Sequence, residues 1–168
     1  MNPSMNGPLV ALDGVGKTFT LHLRGGTRLG VVDGVSFSVD PGECVVLGGP
    51  SGAGKSSLLR LMYLAHRPSR GLITMFGHDI ASLKRGELPP LRRRIGVVFQ
   101  NFRLLDHLSA LDNVALPLRV AGARESQVRE HVAELLSWVG LGDHLNDKPA
   151  TLSGGQQQRV AIARALAM

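Results

Sequence analysis

Gly49-Pro50-Ser51-Gly52-Ala53-Gly54-Lys55-Ser56 constrains this chain more than any other stretch. It spells G-x-x-x-x-G-K-S, a loop pattern built to hold phosphate. The preceding Glu43-Cys44-Val45-Val46-Leu47-Gly48 reads as a short buried strand, and the following Ser57-Leu58-Leu59-Arg60-Leu61-Met62-Tyr63-Leu64 as the start of a helix. Strand, glycine loop and helix together give the pattern its mechanism. Glycines let the backbone curl so that successive N–H groups point at phosphate oxygens. The helix N-terminus adds partial positive charge. In such a loop the lysine, Lys55, reaches the β- and γ-phosphates, and the serine hydroxyl, Ser56, can sit on Mg²⁺.

A chain of 168 residues suits one domain, and 43% hydrophobic residues suffice for a core. Aromatics are only 4%, so aliphatic and alanine packing must fill that core. The net charge of +6 fits nucleic acid, an acidic membrane surface or a polyphosphate ligand. No arginine-rich tail or aromatic-interleaved basic patch occurs, so no nucleic-acid partner is expected. Arg92-Arg93-Arg94, the densest basic run, reads as solvated surface. Cys44 is the one cysteine; it excludes an internal disulfide, fits a reducing cytosol, and is expected to pack as a small buried hydrophobe. No apolar run approaches the ~18 residues of a membrane span. Residues 1–8 read as a flexible tail.

Ahead of the loop, Leu9-Val10-Ala11-Leu12 opens a strand that continues with alternation through Val15-Gly16-Lys17-Thr18-Phe19-Thr20-Leu21-His22-Leu23. Arg24-Gly25-Gly26-Thr27-Arg28 is a turn, and residues 31–39 form a second strand closed by the turn Asp40-Pro41-Gly42-Glu43. An antiparallel β layer is thus expected before the loop. Phe19 stands on it, either as a face that stacks on a nucleotide base or as ordinary strand filling, the simpler reading from the residues. Further on, Leu72-Ile73-Thr74-Met75-Phe76 reads as a strand, and Pro89-Pro90-Leu91 precedes a basic helical turn. Ile95-Gly96-Val97-Val98-Phe99 reads as an apolar strand ending at Gln100. A glutamine there lies where ligands bind in α/β sheets and could reach Mg²⁺ or an attacking water. The alternative is a polar strand end.

From Asn101 the pattern turns helical. Residues 109–116 form a short helix with Ser109 as N-cap, stopped by Pro117. Residues 125–139 form the best helix, with Val128, Val132, Leu135, Leu136 and Val139 on one apolar stripe. Finally, Leu152-Ser153-Gly154-Gly155-Gln156 leads into Gln157-Gln158-Arg159-Val160-Ala161-Ile162-Ala163-Arg164-Ala165-Leu166. Ser153 can cap this helix. A glycine costs about 1 kcal/mol in a helix interior, so two in the first turn suggest that something approaches closely. Such a terminus is a second anion site. A glycine-rich loop feeding a helix is the plainer alternative.

In this order the loop at 49–56, Gln100 and Leu152-Ser153-Gly154-Gly155-Gln156 resemble the Walker A, glutamine-loop and signature motifs of ABC-type ATPases. The resemblance runs from Leu9 to the end. It implies an α/β P-loop NTPase fold: an ABC-type core at 9–100, a helical subdomain at 101–152, and the signature motif with its helix at 153–168. It implies ATP held by Phe19, Gly49, Pro50, Ser51, Gly52, Ala53, Gly54, Lys55, Ser56, Ser57 and Gln100, and Mg²⁺ held by Ser56 and Gln100. Phe19 becomes the aromatic that stacks on adenine, and Lys55 and Gln100 assist catalysis. Two subunits are implied to meet head to tail, so that Ser153, Gly154, Gly155 and Gln156 of one close over the ATP of the other. Such subunits work in the cytoplasm, peripheral on the membrane through an integral-membrane partner.

Within the family, residues 92–109, 113–118 and 63–71 resemble FtsE-type cell-division ATPases, whose membrane partner is of the FtsX type. Residues 17–23 and 42–47 are more similar to PhnL-type proteins of phosphonate metabolism. The family continues past the signature helix into an apolar strand ending in Asp-Glu, and no such strand occurs in these 168 residues. The fold is therefore expected to be incomplete at the C-terminus, the catalytic glutamate to be missing, and Val45, Val46 and Leu47 to lack a neighbouring strand. A nucleotide-binding fragment without turnover is the reading this favours as a further alternative.

Overall fold

The computed structural model describes residues 7–20 and 28–168. The expected tail through Asn6, the strand residues Leu21-His22-Leu23 and most of the turn at 24–28 lie outside the described residues. The chain divides into two compact units, residues 1–88 and 89–168.

The first unit is built on an antiparallel sheet in the order β2-β1-β3-β4, with β1 at Val10–Thr20, β2 at Arg28–Val39, β3 at Arg70–Met75 and β4 at His78–Asp79. Val10 pairs with Val39 on one side and Met75 on the other, and Leu12 with Phe37 and Ile73. The alternation read from the sequence is what this register needs, because successive side chains take opposite faces. Leu12, Val15, Val32, Ile73 and Met75 are buried. The register slips between Asp13 and Gly16, beside Gly14 at φ +56° and Gly71 at φ +77°. A Cβ on Gly71 would lie 2.4 Å from the Gly14 carbonyl oxygen, so two strands touch here through bare backbone. Helix α1, Lys55–Met62, buries Leu58 and Leu61.

Two expected strands do not form. Residues 43–48 and 95–99 carry no strand pairing. Val46 is 88% exposed, Val45 and Leu47 are also exposed, and Cys44 is a surface thiol rather than a buried one. The reason is pairing. A central strand is held by neighbours on both sides. Among the described residues no strand lies alongside either segment.

The second unit is helical: α2 at Leu88–Arg92 leads into it, followed by α3 at Ala110–Val120, α4 at Glu125–Trp138 and α5 at Gly154–Leu166. Val114, Val128, Val132, Leu136, Leu141 and Val160 are fully buried together with Ala110, Ala115 and Ala163. The alanines let the helix backbones approach, which is how a core poor in aromatics is filled. The stripe expected on α4 is its buried face, with Leu135 and Val139 partly covered at its edge. α3 does not stop at Pro117 but runs on to Val120. Pro117 cannot donate to the Asn113 carbonyl, but the next turn still closes through the Ala121 N–H donating to the Pro117 carbonyl at 3.0 Å.

Asn113, wholly buried on α3, holds the entry to this helix. Its Oδ1 accepts from the Leu105 N–H at 2.8 Å, and its Nδ2 donates to the carbonyls of Leu105, Leu108 and Ser109. Ser109 caps α3 by accepting from the Asp112 N–H. Arg119 then joins α3 to α4, donating to Asp112 at 2.8 Å and to both oxygens of Glu125. Its hydrogen bonds, first to Glu125, push the Arg119 pKa up. The Asp112 carboxyl is held below its ordinary range, first by the hydrogen bond from Arg119 and then by that from Ser109.

Replacing Asn113 by Ala orphans a buried N–H and carbonyls, so denaturant unfolding should show a loss of about 1–3 kcal/mol. An unchanged midpoint would show that this network is not needed. Asp112 gives a pH test. Its lowered folded pKa means that its contribution is present above the unfolded value of about 3.9 and is lost as pH falls through the folded value. Asp112→Asn should therefore lower stability near neutral pH and flatten its acid decline. Parallel stability curves for the two proteins at all pH values would contradict the pairing.

Candidate functional site

The loop at 49–56 takes its shape from three glycines in the left-handed region: Gly49 at φ +141°, Gly52 at +82° and Gly54 at +85°. Gly54 is also the N-cap of α1. A Cβ there would sit 2.2 Å from the Val31 carbonyl oxygen of β2, so both conformation and space demand glycine. The loop is pinned by the Ala53 N–H donating to the Pro50 carbonyl at 3.3 Å. The first bond of the helix is from the Leu58 N–H to the Gly54 carbonyl at 2.9 Å.

No side chain caps this terminus and no acidic residue occupies its first turn. The N–H groups of Lys55, Ser56 and Ser57 are helix-terminal donors, and the macrodipole there favours an anion. Lys55 Nζ folds back over the loop and donates to the Gly49 and Pro50 carbonyls, each at 2.7 Å. An ammonium has three donors, so two hold it over the loop and the third can meet a phosphate oxygen. Ser51, Gly52 and Ser56 are exposed at the mouth. The donor set thus fits a polyphosphate, with Ser56 supplying a hydroxyl of the kind Mg²⁺ accepts.

Phe19 lies in the same unit, half-buried on β1. Its ring meets His66 edge-on, with centroids 5.4 Å apart and planes at 79°, and Lys17 Nζ stands 5.1 Å from its centroid. Lys17 also donates to the Arg67 carbonyl at 2.9 Å, and the Thr18 N–H donates to Ser69 Oγ. These bonds lay residues 66–69 beside β1. The sequence reading missed His66 as a companion of Phe19, because the contact spans a helix and a turn.

The second unit carries Gln100 and residues 153–156. Gln100 is exposed in a turn rather than at a strand end. Ser153 is the N-cap of α5 as expected. Its Oγ accepts from the Gln156 N–H at 3.3 Å, and its own N–H donates to Gln156 Oε1 at 2.8 Å. That reciprocal pair is a capping box. Gln156 Nε2 is 3.1 Å from His144 Nε2, and His144 Nδ1 is 2.6 Å from Asp147 Oδ2. Gln157 Nε2 donates to the Pro149 and Leu152 carbonyls. The S-x-x-Q spacing at 153–156 signals the box, whereas the bonds of Gln156 and Gln157 to His144, Pro149 and Leu152 were not legible in the sequence.

Gly154 and Gly155 are exposed, and no atom lies within 4 Å of where a Cβ would stand on either. The packing of the chain therefore does not require these glycines, in contrast to Gly54.

That contrast is measurable. Gly54→Ala should lower the melting temperature and remove triphosphate binding. Gly155→Ala should leave the fold intact or stabilise it by up to about 1 kcal/mol, the usual gain of alanine over glycine in a helix. Equal melting temperatures for Gly54→Ala and the parent protein would contradict the contact with Val31.

Comparison with known proteins agrees with these features. A family model described as ABC transporter matches residues 32–168. The methionine import ATP-binding protein MetN of Bifidobacterium longum (strain NCC 2705) is 44% identical over 163 residues, covering 97% of this chain and 41% of that protein. MetN of Brucella abortus (strain 2308) is 46% identical over 165 residues, covering 98% and 43%. The chain thus spans less than half the length of these relatives. Among solved structures, a dimeric ATP-binding cassette in a post-hydrolysis state bound to ADP and Pi superposes with a TM-score of 0.84 at 39% identity, covering 94% of this chain and 69% of that one. With its family match, its α/β cassette fold and its glycine loop, the chain belongs to the ABC transporter family of ATP-binding proteins.

Proposed function

We propose that this chain is the nucleotide-binding part of a subunit that uses ATP to drive a membrane-embedded partner. The observation that carries the proposal is the loop at 49–56, with its uncapped, acid-free helix start and Lys55 held over it by two carbonyls.

In this reading the N–H groups at the start of α1 would bind the phosphates, and Lys55 would turn its third N–H to a β- or γ-phosphate oxygen. Ser56 would supply a hydroxyl to Mg²⁺, Gln100 is proposed as a further ligand to it, and Phe19, braced by His66, would stack on the base. Magnesium, when bound, offsets charge on the phosphate oxygens. The open space over Gly154 and Gly155 admits the γ-phosphate held by a second subunit, and Ser153 supplies a hydroxyl and a helix terminus to it. Support for a head-to-tail dimer comes from the dimeric state of the similar cassette structures. Among the described residues no helix is long and apolar enough to cross a membrane.

Two identities of that partner have support. The relatives are named for methionine import, which favours a substrate-importing permease. The segments 92–109 and 113–118 resemble FtsE-type ATPases, which favours an FtsX-type partner in cell division. Affinity capture from membranes separates the two by which partner is recovered.

The test of the proposal itself is Lys55→Ala. Removing a charge-assisted contact should weaken ATP binding by at least about tenfold, as expected from 1.5–3 kcal/mol. The readout is titration with a fluorescent ATP analogue in the presence of magnesium. Equal affinity in the two proteins would remove the loop from the site.

A further inference from the structure

The turn that follows Gln100 is held in a conformation that its own residues disfavour. Phe102 and Arg103 both lie in the left-handed region, at φ +55° and +48°, and neither is glycine. The Arg103 N–H donates to the Asn101 carbonyl at 2.5 Å, closing a three-residue turn about Phe102. With a positive φ at its centre this is the rare, strained form of the γ-turn. The Phe102 N–H donates to the Phe99 carbonyl at 2.9 Å, so Gln100 and Asn101 are enclosed within the same turn. Strain of this kind persists only where the surroundings over-determine it.

The surroundings are the last turn of α5. Arg164 Nη1 donates to the Arg103 carbonyl at 2.8 Å, and Nη2 to the Phe102 carbonyl at 2.5 Å. Two nitrogens of one planar group thus grip two successive carbonyls, and those carbonyls belong to the two left-handed residues. Among the described residues no carboxylate pairs with Arg164. Burial presses its pKa down, so the charge is spent on main-chain oxygens in a partly desolvated place. One residue further along α5, the Ala165 carbonyl oxygen lies 2.4 Å from where a Cβ of Gly96 would be. The same helix end therefore abuts the chain on both sides of Gln100.

We infer that Arg164 is a positioning residue: it holds the turn at 99–103 in its left-handed form and so fixes where Gln100 is presented. The consequence for turnover rests on the proposed role of Gln100 at magnesium or water. The geometry explains why the residue is arginine. A lysine ammonium is a point charge and lacks two parallel N–H groups set to span neighbouring carbonyls. It also makes the helix that begins at Ser153 the same body that sets the glutamine turn, with α5 as the rigid rod between them.

The experiment compares the parent chain with Arg164→Ala, Arg164→Lys and Gln100→Ala. Couplings sensitive to φ at residues 102 and 103, read by NMR, should report left-handed backbone in the parent and in Gln100→Ala. They should revert to negative φ in both Arg164 variants. Left-handed couplings retained in a folded Arg164→Ala overturn the inference. Should the variants fail to fold, the parent alone still decides. Its Arg164 guanidinium protons should exchange slowly and show couplings across hydrogen bonds to the carbonyls of 102 and 103, and fast exchange overturns the inference. In a longer form that includes the family's Asp-Glu strand, magnesium-dependent ATP turnover should fall by about tenfold to a hundredfold in Arg164→Ala, as for a displaced active-site group, with KM changed less than about twofold. If Gln100→Ala lowers turnover but Arg164→Ala, with its turn reverted, does not, the positioning role is overturned. If neither lowers turnover while the turn still reverts, the hold on the turn stands and the reading of Gln100 is what fails.

Discussion

The first unit turns on the lack of space between a glycine and a carbonyl. Where α1 begins, Gly54 turns left-handed beneath the Val31 oxygen of β2, with no room for a single carbon more. That contact settles where the helix starts. It thereby settles which N–H groups face outward and where Lys55 emerges. The antiparallel sheet is the anvil for this approach: β2 is held along its length by β1, and β1 by β3. A loop that must gather main-chain donors needs a backbone free to curl and a fixed surface to curl against. The glycines supply the first and β2 the second.

The second unit meets the same need by a different route. Its helix start at Ser153 is made by side chains rather than by steric exclusion, through the reciprocal bonds of Ser153 and Gln156. Beneath it the small side chains of Ala110, Ala115, Ala161 and Ala163 and the branched Val114, Val132 and Val160 give a closely packed base. Asn113 replaces with its amide the backbone partners that the loop at 105–109 would otherwise lack. Rigid support below leaves Gly154 and Gly155 open above.

What was legible in the sequence was local. The glycine loop, the Ser153 cap, the stripe on α4 and the alternation of β1 all depend on residues a few positions apart, and each is where the spacing puts it. The failures were of pairing and of distance. Residues 43–48 and 95–99 have the composition of buried strands, but composition states only that a neighbour would be welcome. Pro117 was over-read, because the penalty of a proline in a helix can be outweighed by the burial of Val114 and Ala115 beside it. His66 and Arg164 took their roles from partners far along the chain, and His144 from Gln156 on the next helix as well as from nearby Asp147. The fold class, an α/β ABC cassette, was available from three short motifs through their resemblance to a known family.

The box at Ser153 has a direction. The Ser153 N–H gives to Gln156 Oε1, so the amide must turn its NH₂ toward His144. A neutral imidazole can then accept at Nε2 only if its proton sits on Nδ1, which is the nitrogen beside Asp147. Every proton in this line points the same way, from backbone to amide to ring to carboxylate. The tautomer of a histidine and the orientation of a glutamine, two assignments that electron density seldom distinguishes, are thus dictated by a main-chain N–H three residues from one and nine from the other. A glutamate at 156 could keep its bond to Ser153 but could not complete the line unless the ring carried a second proton. At this helix mouth the choice between two nearly isosteric residues is a choice about where a proton resides.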